Sequence, residues 1–213
     1  MTRIVRKQHV LDLLPDWLVR THGPADGGAR YLSFDDGPNP DYTARVLDLL
    51  ARHGARASFF LVGQNVERHP ELVARMVAEG HRIGNHSYSH SVFSGISHAE
   101  QVREIERTDK LLAAFDGLPR HPFRPPRGVF SLALLLRLAR AGRRLTYWSY
   151  DSLDYRKQPA NELVDALRAR SPRPGDIVLM HDDNERAPRI LETLLPEWRA
   201  GGFSFEPLPA EKG

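Results

Sequence analysis

From about residue 30 onward, short apolar runs alternate with longer stretches in which apolar residues recur every three or four positions. The short runs, bounded by turn residues, predict strands, and the longer period predicts amphipathic helices. Strands are expected over Arg30 to Asp35, Ala57 to Val62, His81 to His86, Pro122 to Arg124, Arg144 to Tyr150, Asp176 to His181 and Phe203 to Pro207. Helices are expected over Tyr42 to His53, with Val46, Leu47, Leu49 and Leu50 on one face, and over Pro70 to Glu79, stopped by Gly80. A third runs from Ser97 to Phe115, opened by the capping-box pair Ser97 and Glu100 and closed near Gly117. Ser131 to Ala141, Ala160 to Ala169 and Arg189 to Ala200 complete the set. Such alternation predicts an α/β fold of parallel strands joined by crossover helices, either a barrel or a wide open sheet.

Length and composition narrow this little further. A chain of 213 residues with 41% hydrophobic content suits one domain. We expect residues 30–208 to form it, with residues 1–29, helical at first and Gly-rich at the end, as an extension packed on it. The absence of cysteine removes disulfides and thiolate chemistry, so any metal must use His and carboxylate ligands. A net charge of +3 with interleaved signs is no nucleic-acid footprint. No segment reaches the length of a transmembrane span, and charges interrupt the apolar residues of Met1 to Arg20, so the chain is expected to be cytoplasmic unless a leader has been trimmed. Composition leaves the oligomeric state open.

The unusual polar residues fall at the ends of the expected strands. Asp35 and Asp36 end the first, His86 the third, Arg124 the fourth and His181 the sixth, while Asp151 follows the fifth. Strand ends of one sense surround a single mouth in such folds, where chemistry is done. Adjacent carboxylates before Gly37-Pro38 are costly unless a cation relieves them, which lets one bind metal while the other takes a proton. His86 and His90, four apart, can converge on one ion with Asp36 as third ligand, leaving positions open for water and substrate. His181, expected opposite Asp35 at the mouth, suits a general acid kept charged by Asp151 or Asp154. Arg124 and Arg127 lie in a Pro-bracketed loop, where Arg124 can pair with a site carboxylate and a backbone N–H can face a developing oxyanion.

With these residues assembled, the chain resembles the polysaccharide deacetylases of carbohydrate esterase family four, the NodB homology domain, and within them the chitooligosaccharide deacetylases. Five motifs stand in the family's order over roughly residues 30–208. Phe34-Asp35-Asp36-Gly37-Pro38 implies Asp35 as base and Asp36 as metal ligand, and His86-Ser87 with His90 implies the other two ligands. Arg124 and Pro126 match the third motif, but Arg127 stands where Tyr or Phe is usual, keeping the backbone N–H implied for the oxyanion hole and losing the ring. Asp151-Ser152-Leu153-Asp154-Tyr155 matches the fourth, with Tyr155 in place of the usual Trp on the sugar-stacking wall. Leu179-Met180-His181 matches the fifth and implies His181 as general acid.

The implied fold is a distorted (β/α) barrel of about seven parallel strands. The implied activity is hydrolysis of N-acetyl groups on an amino-sugar glycan or glycan precursor, with a divalent metal, Zn2+ before Co2+ or Ni2+. Alternatives are an O-acetyl polysaccharide esterase and an inactive sugar-binding relative, while a His-Glu-x-x-His metallopeptidase motif is absent.

Overall fold

The structure, a computed structural model, describes residues 11–210. In chain order the elements are β1 (Val19–Arg20), β2 (Ala29–Asp35), α1 (Thr43–Arg52), β3 (Ser58–Leu61), α2 (Gly63–Arg68), α3 (Pro70–Ala78), β4 (Arg82–Asn85), α4 (His98–Asp116), α5 (Leu132–Arg140), β5 (Leu145–Thr146), β6 (Tyr150–Asp151), α6 (Ala160–Ala169), β7 (Ile177–His181), α7 (Arg186–Ala200) and β8 (Ser204–Phe205). All strand pairs in the ladders are parallel, in the order β4-β3-β2-β7-β6, with β8 on the start of β2 and β1 on β5. The fold is therefore α/β, as the alternation predicts. Among the described residues the regular ladders do not close into a ring. Single bridges at Phe123, to Asn85 and to Leu145, span the gap between β4 and β5.

Three expected strands are much shorter than their sequences suggest, and of residues 203–207 only Ser204–Phe205 form one. Residues 122–124 make only the Phe123 bridges, because Pro122, Pro125 and Pro126 have no N–H to give a ladder. Residues 144–150 break into β5 and the start of β6 at Tyr147-Trp148, whose rings stack at 3.9 Å between centroids. Successive side chains of a regular strand point to opposite faces, so a stacked neighbouring pair cannot belong to one. The sequence gives no warning of α2, and β1 lies within the segment expected as an extension. The helix expected early in that extension falls largely on residues 1–10, outside the described residues.

Helix ends follow local chemistry. Ser97 caps α4 by accepting from the Glu100 N–H at 3.2 Å, and Gly117 (φ 73°) ends it. The reciprocal half of the capping box does not form, since the Glu100 carboxylate pairs with Arg103 instead. Ser131 caps α5 in the same way. α7 starts three residues before the expected Arg189, tolerating Pro188 because the first turn of a helix needs no backbone donor.

The core has two parts because β2 and β7 are buried on both faces, the rule for parallel strands. Leu32, Phe34, Val178 and Met180 pack outward with α1, α6 and α7 residues such as Leu47, Leu163 and Leu194. Tyr31, Ile177 and Leu179 turn the other way, toward Phe60, Phe123 and Leu145. Strand alternation continues this second set into Asp35 and His181, so both reach the end of the sheet on its inner face.

Candidate active site

Register brings the first two residues together. Asp35 and His181 are partners in the β2–β7 ladder. His181 therefore sits directly beside Asp35 on the neighbouring strand, and not opposite it as the sequence suggested, because β2 is central and β7 its immediate neighbour. Beyond them the chain turns sharply. Asp36 takes a left-handed backbone (φ 77°), and a Cβ on Gly37 would lie 2.3 Å from the Asp182 carboxylate, so any larger residue there would have to displace that buried group. Asp182 is fully buried and its carboxyl is pushed up to about 7 by burial, with the Thr43 hydroxyl donating to it in opposition.

Asp36, His86 and His90 offer ligand atoms that all lie within 4.8 Å of one another. Asp36 Oδ1 is 3.1 Å from His90 Nε2 and 3.4 Å from His86 Nε2, yet it is buried and, among the described residues, accepts no hydrogen bond. His86 Nδ1 lies 2.8 Å from the Arg124 carbonyl, which can only accept, so in the neutral ring the proton sits on Nδ1 and Nε2 presents its lone pair. Burial raises the Asp36 pKa, but the two imidazoles outweigh it and hold the group well below the usual carboxylate range. Asp36 in turn raises His90 against the opposing effect of burial. Two imidazole nitrogens around an unpartnered carboxylate oxygen fit a divalent cation, and a three-ligand set leaves room for water and substrate.

Asp35 is 4% exposed and accepts from Arg124 Nη1 at 2.6 Å through Oδ1, while Oδ2 is 3.8 Å from His86 Nε2. Arg124 is itself fully buried, lies over the Phe60 ring at 4.0 Å and donates to the Tyr147 carbonyl at 3.0 Å. Of the two acids expected beside His181, Asp154 is the one bonded to it. Its Oδ1 accepts from Nδ1 at 2.8 Å and its Oδ2 from the His181 backbone N–H at 2.7 Å. Burial lowers the His181 pKa, but Asp154, helped by Asp35 and Asp36, raises it to about 10. Asp151 turns away to the Leu153 N–H at 2.9 Å and the Tyr155 hydroxyl at 3.1 Å.

Asp35, Asp36, His86, His90, Asp151 and His181 line one cavity of about 610 Å³ with Arg127, Trp148 and Tyr155, while Arg124 and Asp154 stand buried behind it. Tyr155 is half exposed and meets the His181 ring edge-on at 5.5 Å, an open aromatic face at the rim. Pro126 is buried and starts a tight turn in which Arg127 has φ 54°. The Gly128 and Val129 amides bond to the Pro125 and Pro126 carbonyls, and among the described residues no acceptor takes the Arg127 N–H. The Arg127 side chain is exposed.

Sequence reasoning missed Trp148, placed in a regular strand, and the acid Glu104, which bonds the Tyr88 and Ser89 amides. It also missed Asn85, whose side chain accepts from the Ser87 N–H at 2.9 Å. Asn85 adjoins His86 and could have been noticed; Glu104 has no local signal, since only docking of α4 brings it near.

Residues 22–146 match the family model for polysaccharide deacetylase. A chitooligosaccharide deacetylase of Bradyrhizobium sp. is 36% identical over 93% of this chain and 98% of its own length. A peptidoglycan-N-acetylglucosamine deacetylase of Bacillus cereus is 36% identical over 91% of this chain and 92% of its own. The crystal structure of the Bc1960 peptidoglycan N-acetylglucosamine deacetylase superposes with a TM-score of 0.84 at 30% identity, covering 92% of this chain and 93% of that one. Deacetylases of this kind, carbohydrate esterase family four, depend on a metal, and the Asp-His-His cluster is where this chain can hold one. Fold, site geometry and relatives that span nearly the whole chain agree: the chain belongs to the polysaccharide deacetylases.

Proposed function

We propose that this enzyme removes the N-acetyl group from an amino sugar in an oligo- or polysaccharide or a glycan precursor, with Asp35 as base and His181 as acid. One observation carries the reading: a carboxylate held by a buried Arg and an imidazolium held by a buried Asp lie side by side in the cavity that the Asp-His-His cluster also lines. Asp36, His86 and His90 hold a divalent metal, Zn2+ by the mixed imidazole and carboxylate donor set, with Co2+ or Ni2+ as substitutes. When bound, that metal supplies Lewis acidity to the acetamide carbonyl and to a water molecule.

The chain's own residues handle the protons. Asp35 takes one from the attacking water on Oδ2, the oxygen that Arg124 leaves free, as the water oxygen bonds to the carbonyl carbon. The Arg127 N–H donates to the developing oxyanion, an interaction whose loss costs roughly 2.7 to 4 kcal/mol in comparable sites. His181, with Nδ1 committed to Asp154, gives its Nε2 proton to the sugar nitrogen as the C–N bond breaks. Acetate and the free amine are the products. Tyr155 offers the sugar an aromatic face beside the acid.

Acetate release from N-acetylchitooligosaccharides, peptidoglycan fragments and acetylated xylan tests the assignment. Turnover of the first two and not the third is expected; xylan alone would establish an O-acetyl esterase, and a flat result with every substrate would leave only a sugar-binding relative. Asp35→Asn should abolish turnover with metal content intact, and loss of the metal would refute the division between base and ligand.

A further inference from the structure

The segment that carries both histidines of the cluster, residues 86–90, lies outside the regular strands and helices. Ser87 (φ 68°) and His90 (φ 56°) both take left-handed backbones, a conformation that non-glycine residues adopt only when their surroundings impose it. Two helices impose it: the Gly63 and Gln64 amides at the start of α2 donate to the Ser87 and Tyr88 carbonyls at 2.9 Å, and α4 holds the loop's own donors. Glu104, 8% exposed, accepts from the Tyr88 N–H at 3.0 Å and the Ser89 N–H at 2.7 Å through Oε2, and from the Ser89 hydroxyl at 3.0 Å through Oε1. Among the described residues it forms no ion pair with Lys, Arg or His. A buried carboxylate is tolerated only when donors satisfy it, and all three donors here come from this one loop. Five residues further along α4, Asp109 is held by Arg143 at 2.6 and 3.1 Å and accepts from the Asn85 side chain at 2.8 Å. Asn85 in turn accepts from the Ser87 N–H, so α4 reaches the loop through Ser87 as well as through Tyr88 and Ser89.

We propose that Glu104, backed by the Asp109–Asn85 contact, is a positioning residue that sets His90 and His86 for metal capture. It touches neither metal nor substrate. It fixes the strained backbone from which the imidazoles project, so that the loop need not be ordered when the ion binds. The inference rests on the proposed Asp36-His86-His90 site and assigns to it a support outside the motif residues.

The test uses metal-free full-length protein and Zn2+ alone as probe, with affinity read by competition against a chromophoric chelator, Co2+ absorption as a report of ligand geometry, and thermal unfolding alongside. Glu104→Ala should weaken Zn2+ binding by about 10- to 100-fold, the usual loss when a group supporting a metal ligand is removed, and should alter the Co2+ spectrum. Glu104→Gln should recover most of the affinity, because its carbonyl can serve both amides and its NH2 can donate to the Ser89 hydroxyl. Leu112→Ala, a cavity in the buried face of the same helix, should lower the melting temperature and leave Zn2+ affinity unchanged. If Glu104→Ala does not fold, Glu104→Met, which keeps length and helix propensity without an acceptor, carries the same expectation. Wild-type affinity in the Ala or Met variant, or an equal loss in Leu112→Ala, overturns the proposal while leaving the metal site intact. A wild-type protein that binds no Zn2+ overturns both.

Discussion

Replacing Asp154 with Asn removes the charge that holds His181, the proposed acid, in its protonated form and barely alters the shape of the site. Both Asp154 oxygens accept hydrogen bonds, one from the His181 ring at 2.8 Å and one from its backbone N–H at 2.7 Å. Asn has a single acceptor oxygen and cannot serve both. If that oxygen keeps the backbone N–H, the amide NH2 meets Nδ1, which must surrender its proton, and the imidazole is neutral. If it keeps the ring, two donors face each other in a site where residue 154 is fully buried. Either outcome disfavours the imidazolium.

In the wild type, burial lowers the His181 pKa and Asp154 overrides it to give about 10. Without Asp154 the value should return to the ordinary histidine range or below, a change on the order of 5 kcal/mol in the balance between charged and neutral ring. At pH 8 only a few per cent of His181 would then be protonated, so kcat should fall roughly 30-fold or more, with recovery toward pH 6. The pair also stabilises the fold, fully below about 6.5, with that contribution lost as pH rises through about 10. Acetate release measured from pH 5.5 to 10 checks the reasoning; an Asp154→Asn enzyme whose alkaline limb matches the wild type would refute it.

Two further outcomes follow from buried charges. Arg124→Met leaves the Asp35 carboxylate buried without its 2.6 Å partner, so urea denaturation should show a loss of about 3–5 kcal/mol; a loss below 1 kcal/mol would mean that Asp35 finds water or another donor. Asp182 is fully buried with its carboxyl pushed up to about 7, so the fold favours its protonated form, and metal-free protein should lose stability as pH rises from about 3.8 to about 7. Asp182→Asn should flatten that slope, and parallel melting-temperature profiles for the two proteins would contradict it.

The sequence by itself determined what contiguous segments can carry. Apolar runs that stop at Asp35-Asp36, His86 and His181 already placed these polar residues at strand ends, because the end of a run is written in contiguous residues. Ser97, Ser131 and Gly117 marked helix ends for the same reason, their chemistry lying within one turn. The tertiary structure decided everything that depends on register and docking. That His181 stands beside Asp35 follows from which strand neighbours β2, and no local pattern encodes strand order. The choice of Asp154 over Asp151 depends on how residues 151–155 turn, with Leu153 at φ 62°, and the two acids look alike in sequence. The Tyr147-Trp148 stack broke an apolar run that reads as a strand, since hydrophobicity reports burial and not which way a ring points. Glu104 lay hidden in an ordinary helical pattern, because a carboxylate becomes a clamp only when packing brings amides 15 and 16 residues away within hydrogen-bonding distance.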